Sequence, residues 1–211
     1  VHIYQSSDSG DTWQIAYTFA PGSIRHIHGI HFDAFTKRLW VTTGDLENEC
    51  IIGFTEDKFT SFTEVFRGGQ KFRTCKLLFT ENEIFYGTDS ELEQNRLKVF
   101  NRETLEIRSL AKVQGSVINA TKSGPLLFFN TTVEPSVINT DEHSYLWRVD
   151  PASGQAEIIQ KFRKDKFDHR YFQFGQCYFP ENRTKETRSL YFSGCALKGI
   201  DGHSIEMSLN Q

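Results

Sequence analysis

The chain has 211 residues, with 24 Lys and Arg against 27 Asp and Glu and a formal net charge of -3. That length supports one substantial core or two small ones. The interspersed charges leave no basic stripe for nucleic acid or a membrane surface, and no run of about 18 apolar residues is available to span a bilayer. Aromatic residues make up 14%, with 19 Phe against a single Met, a balance that suits sheets more than helical bundles.

The chain opens at Val1, without an initiator Met or a leader, in what reads as mid-strand; the expectation is a portion of a longer protein. The first punctuation is Ser6-Ser7-Asp8-Ser9-Gly10-Asp11-Thr12-Trp13, the pattern S-x-D-x-G-x-T-W. Gly10 can take positive φ, and Asp8 can accept backbone N–H bonds across the turn. Trp13 is expected to re-enter the next strand and bury its ring under the hairpin.

From Arg25 a repeat sets in. RHIHGIHFD, LWVTTGD, CIIGFTED and FTSFTEVF form one round, and RTCKLLFTE, IFYGTD, RLKVFNRET and EIRSLAKV the next. Aligned, Arg25 falls on Arg73 and Asp45 on Asp89. SVINATKS, LLFFNTTVE, YLWRVDPASG and AEIIQKF make a third round; YFQFGQCYF, RSLYFSG and HSIEMSLN begin a fourth. Each round holds four short runs with partial alternation, bounded by Gly, Asn, Asp or Pro, and no period near 3.6 persists.

The predicted fold is therefore all-β, a β-propeller of four-stranded antiparallel blades with strands A to D running outward. The count gives strands C and D of one blade, three whole blades, and A to C of another: about four and a half blades, with 1–211 a single propeller domain or the C-terminal portion of one. Such a count fits a larger propeller better than a small self-closing ring. Its open edges imply self-association as a further expectation. Thr55–Phe62 repeats the first turn with Thr, Asp and a closing aromatic but no Gly, and Asp150–Gly154 fills the third-round hairpin differently.

Cys50, Cys75, Cys177 and Cys195 lack any C-x-x-C spacing and sit in apolar runs, which favours four buried thiols over a zinc knuckle. Cys177 and Cys195 could pair if their strands adjoin. Asn119, Asn130 and Asn182 head N-x-[ST] triplets, the acceptor pattern for glycosylation.

In a propeller, the D-to-A and B-to-C connections open on one end of the channel. Arg25, His26, Gln70, Arg73, His169, Arg170 and Tyr171 fall in the first set; Asp45, Glu47, Asp89, Glu91 and Glu134 fall in the second. Arginines beside carboxylates could cup an acidic sugar, or could satisfy one another as salt bridges. For catalysis the first choice is Glu134, then Asp45 and Asp89, as paired acids for glycoside hydrolysis. Arg25, His26, His28, Arg73 and Tyr171 are the candidate substrate-binding residues. His26 and His28 share a strand face, with His31 on the other unless Gly29 bulges the backbone. Blade packing is the preferred role for these histidines, then substrate contact, then zinc or manganese with Asp45 or a carboxylate from the next blade. No metal and no cofactor are expected. No G-x-S-x-G elbow and no cysteine beside a His-rich turn support nucleophilic catalysis.

The Ser6–Trp13 pattern resembles the Asp box of bacterial-neuraminidase-type repeats. Together with RHIHGIHFD, LWVTTGD, LLFTENEIFYGTD, FFNTTVE and LYFSGCALKG, it is similar to bacterial Asp-box propeller proteins labelled sialidase-like or glycosyl hydrolase. The resemblance implies a carbohydrate-associated propeller, a glycoside hydrolase or lyase on an acidic or surface polysaccharide. The alternative is a non-catalytic propeller that binds glycan or protein. It also implies a glycan partner and an extracellular or periplasmic setting over a cytoplasmic one. The Arg-Ile-Pro strand of true sialidases is absent from the chain, and their arginine triad and Tyr–Glu pair have no residue-by-residue match.

Overall fold

A computed structural model describes residues 1–180 and 189–209, which fall into two compact units, Val1–Cys75 and Lys76–Gln211. In the first unit, β1 (His2–Gln5) and β2 (Gln14–Thr18) form a two-stranded sheet. There β3 (His26–Phe32), β4 (Leu39–Gly44), β5 (Ile51–Thr55) and β6 (Thr63–Arg67) form a four-stranded one. The second unit holds three sheets. They are β7 (Leu77–Phe79) to β10 (Ile107–Lys112), by way of β8 (Glu83–Gly87) and β9 (Arg96–Asn101); β11 (Val117–Ser123), β12 (Leu126–Thr131), β13 (His143–Asp150) and β14 (Gln155–Arg163); and β15 (Gln176–Tyr178), β16 (Ser189–Cys195) and β17 (Ser204–Ser208).

Every sheet pairs consecutive strands antiparallel. Two strands of one blade, three complete blades and three strands of another are thus present among the described residues: an all-β, partial propeller of up-and-down blades. The only helical segments among them are single 3-10 turns at Glu47–Glu49 and Gln70–Phe72.

Burial explains why alternation in the sequence is only partial. The second strand of each full blade is buried almost throughout (β4, β8 and β12), whereas β2 and β6 are mostly exposed. A strand covered on both faces reads as a continuous apolar run rather than an alternating one. In the first unit the core is built from Ile3, Phe19, Ile24, Val41, Ile51 and Phe59. In the second, one cluster gathers Phe85, Leu97, Val99, Leu127, Phe129 and Val149, and another Phe128, Leu146, Cys177, Leu190, Phe192 and Leu197.

The turns form as their residue types require. Ser6 Oγ donates to Asp8 Oδ1 at 2.7 Å and accepts the Gly10 N–H at 2.8 Å; Thr12 returns its N–H and hydroxyl to the two Asp8 oxygens at 3.0 and 2.6 Å. Gly10 takes φ 99°. The second hairpin repeats this bond for bond. Thr55 Oγ1 donates to Asp57 and accepts the Phe59 N–H, and Ser61 returns its N–H and hydroxyl to Asp57 at 2.9 and 2.7 Å. At Asp150–Gly154 the carboxylate instead takes the Ala152 N–H and the Ser153 hydroxyl.

Three expectations are corrected. Trp13 is not buried; it is 64% exposed, and its indole N–H donates to the Gly10 carbonyl at 3.0 Å. Only Cys50 and Cys177 are buried, and none of the four cysteines is in a disulfide. β15 and β16 do adjoin, but Cys177 faces Gly194 and Cys195 faces Gln176, so the two thiols lie on opposite faces of the sheet. Asn130 is fully buried, its amide donating to Ser144 and accepting from the Cys177 N–H, which leaves it no room for a glycan. Asn119 is half-buried and donates to Gln176; Asn182 lies outside the described residues.

Candidate functional site

In the first unit the candidate residues gather on Asp45, the first residue after β4. The cause is a bulge. Strand β3 slips register against β4 between Ile27 and Gly29, so the extra residue, His28, is re-aimed toward the strand end. His26 Nδ1 then lies 3.5 Å from Asp45 Oδ2, His28 Nε2 3.5 Å from Oδ1, and Arg73 Nη2 3.2 Å from Oδ1. The two imidazole rings sit 4.8 Å apart.

Gly44 makes this convergence possible. A Cβ there would fall 2.8 Å from His28 Cε1 and 3.0 Å from Arg73 Cγ, closer than packed atoms tolerate. Asp45 itself has φ 142°, a region that residues other than Gly rarely occupy and that costs on the order of 1–3 kcal/mol. Gln70 fixes this backbone by donating to the Asp45 carbonyl at 2.9 Å. On the far side of His28, Nδ1 faces the Thr74 carbonyl at 3.3 Å. His28 is almost wholly buried, its side chain 4% exposed, while that of His26 is 53% exposed. Arg25 stands outside the cluster and pairs with Glu49 at 3.5 Å.

In the second unit, Asp89 and Glu134 each follow the second strand of a blade, as the repeat predicts. Asp89 is 5% exposed and so presents almost no surface to a polysaccharide; Glu134 is half-buried, beyond the bridge of Val133 to Gly175. Tyr171 belongs to the connection between β14 and β15, which surrounds an open cavity of about 630 Å³. Phe167, Tyr171 and Phe172 are 49%, 81% and 53% exposed there.

This connection is pinned at intervals. The Asp168 carbonyl accepts the N–H groups of Tyr171 and Phe172, Asp165 accepts the Phe167 N–H, and Lys164 donates to the Phe167 carbonyl. Phe167 pairs with Phe172 at 4.9 Å, and His169 stacks on Phe174 at 5.2 Å. Tyr171 is left presenting a ring to solvent, with the Arg170 guanidinium 6.0 Å from its centre. Arg170 grips both oxygens of Asp168. Its side-chain and backbone donors hold the Asp168 carboxyl far below the usual carboxylate range, and the pairing raises the Arg170 pKa in turn.

Sequence reasoning named His26, His28, Arg73, Asp45 and Tyr171. It missed Phe167, Phe172 and Phe174, which line the same cavity as Tyr171. Their signal was the aromatic density of KFDHRYFQF, which is too irregular for strand alternation.

No family model matches the chain, and no curated protein matches it in sequence. Among solved structures it is similar to a chain of the nidogen/laminin complex at 11% identity and a TM-score of 0.49, covering 82% of this chain and 74% of that one. It is also similar to the β-propeller domain of the trilobed protease from Pyrococcus furiosus, at 15% identity and a TM-score of 0.43, over 90% of this chain and 58% of that one. The N-terminal domain of Nup159 gives 12% identity and a TM-score of 0.43 over 86% and 47%. The chain thus spans less than two thirds of the latter two.

Proposed function

We propose that the protein is a carbohydrate-associated propeller of the Asp-box type that binds glycan without cleaving it, through the aromatic connection at 165–174. The observation that carries this reading is the exposed Tyr171 ring beside an open cavity, flanked by Phe167 and Phe172. A pyranose has an apolar C–H face that stacks on an aromatic ring and hydroxyls that reach the polar groups around it. Gln173, Asp165 and Asp201 line the same cavity. The matched hydrogen bonds of Ser6–Trp13 and Thr55–Phe62 support the Asp-box assignment.

Binding is favoured over hydrolysis by the state of the acids. Asp45 is occupied by Arg73 and two imidazoles, and Asp89 is buried. Because Arg170 is matched by Asp168, a neutral sugar face fits this connection better than an acidic one.

The test is titration of the full chain with neutral and acidic oligosaccharides by calorimetry. Tyr171→Ala is expected to weaken binding at least about tenfold, about 1.4 kcal/mol, with unchanged thermal stability. Binding of peptides but of no glycan, or glycan turnover lost in Glu134→Gln, would overturn this reading.

A further inference from the structure

The geometry points to a divalent-cation site, suited to zinc, formed by His26 Nδ1, His28 Nε2 and the Asp45 carboxylate.

Distances carry the first part of the argument. Both imidazole nitrogens stand 3.5 Å from a carboxylate oxygen, and the three ligand atoms lie within 4.8 Å of one another. Zinc binds His nitrogen and carboxylate oxygen at about 2.0–2.2 Å in tetrahedral geometry. Two ligands on such an ion are therefore separated by about 3.3–3.5 Å, close to the spacing of His26 from Asp45 Oδ2 and of His28 from Asp45 Oδ1. His26 is the exposed member of the set, its side chain 53% exposed, so its ring has room to turn toward the ion.

The surroundings of His28 carry the second part. Its Nδ1 faces the Thr74 carbonyl at 3.3 Å. A carbonyl accepts only from N–H, so the tautomer it selects bears its proton on Nδ1. The Nε2 lone pair is then aimed at the Asp45 carboxylate. Two electron-rich atoms pointed at each other call for a cation between them, a proton or a metal. A carbonyl behind the ligating imidazole is also the usual means of orienting a metal-binding histidine. The Gly44 contact and the strained Asp45 backbone hold both partners before any ion arrives. Two imidazoles and one carboxylate, with the open side at His26, leave a fourth position for water or an anionic ligand.

Arg73 is the built-in competitor, because its guanidinium already lies 3.2 Å from Asp45 Oδ1. Like charges near a metal weaken its binding. Removing this one should therefore tighten it, a sign that no structural role for the cluster predicts.

The experiment is titration of the metal-stripped full chain with Zn²⁺ by calorimetry, with Co²⁺ absorption as a second readout of coordination. One saturable equivalent is expected in the parent chain. His26→Ala and Asp45→Asn should each weaken it at least about tenfold, whereas Arg73→Gln should strengthen it. Cys75→Ser should leave it unchanged, since Cys75 lies behind His28 with its sulfur 3.6 Å from Nδ1. His26 is exposed, so its variant tests the site even if Asp45→Asn fails to fold. Absence of one-to-one binding in the parent overturns the proposal. So does binding that survives His26→Ala, or binding that vanishes in Cys75→Ser.

Discussion

Two hairpins of the first unit, Ser6–Trp13 and Thr55–Phe62, have one hydrogen-bond scheme and opposite fates for their aromatic residues. Their flanking strands even slip register at the same place, between Ile3 and Tyr4 and between Ile52 and Gly53. Ser9 and Lys58 take φ 63° and 56°; Gly10 and Phe59 take 99° and 71°. A phenylalanine thus stands in the left-handed region where the first hairpin has glycine. The turn is dictated by its acid and hydroxyls, and glycine only makes it cheaper.

Packing explains why the second hairpin tolerates Phe59. The side chain is 6% exposed and joins the core with Ile51 and Val41, so burial offsets the backbone strain. Phe62 settles over Gly53, where a Cβ would lie 2.5 Å from its ring. The corresponding residue in the first hairpin is Tyr4, and Trp13 has no such gap to enter. It stays outside as a lid on its own turn.

The comparison breaks most visibly at Phe59. Phe59→Ala is expected to lower stability by about 3–5 kcal/mol, measured by urea denaturation. Phe59→Gly should cost less than Phe59→Ala by about 1 kcal/mol, since glycine relieves the left-handed strain that alanine keeps. If Ala and Gly rank the other way, the strain account fails.

A smaller effect belongs to Gly10. The nearest atom to a Cβ there is Trp13 Cζ2 at 3.9 Å, an ordinary contact, so the cost is conformational alone. Gly10→Ala should therefore lower stability by about 1 kcal/mol. A much larger loss would mean that the two turns are not equivalent.

The smallest effect is in acid. The Thr12 hydroxyl and N–H and the Ser6 hydroxyl pull the Asp8 pKa from 3.8 down to about 2. Ser61 and Thr55 lower that of Asp57 in the same way. A depressed carboxyl contributes stability that is present above its unfolded value of about 4 and lost as pH falls through the folded one. Asp8→Asn should flatten the stability–pH curve between about pH 4 and 2, and Asp57→Asn should flatten it below about pH 4. Both groups are exposed, so salt and solvent keep the change modest. A curve unaffected by either substitution would show that the network forms without anchoring the fold.

The blade plan was legible because turn residues punctuate every strand and because Asp8, Asp33, Asp57, Asn101 and Asp150 each cap a hairpin by a mechanism local to the chain. Positions set by packing were harder to read. Trp13 read as a core residue because sequence gives no view of what stands two residues before Ser6 across the hairpin. The gathering of His26, His28 and Arg73 on Asp45 was legible only as a set of candidates. Its geometry depends on a one-residue slip in β3 and on a positive φ at Asp45, neither of which leaves a compositional mark. The connection at 165–174 was visible through His169, Arg170 and Tyr171, but not its phenylalanines, whose rings are paired by a loop conformation and not by any periodic pattern.

The outlying position of Trp13 has an optical consequence. Trp40 and Trp147 are 2% and 7% exposed against its 64%, so the three indoles divide into two shielded emitters and one open to collisional quenchers. Acrylamide or iodide should extinguish one component of the fluorescence while the fold is intact. Because that indole is tethered to the Gly10 carbonyl, its emission is a native signal confined to a single turn, readable without any added label.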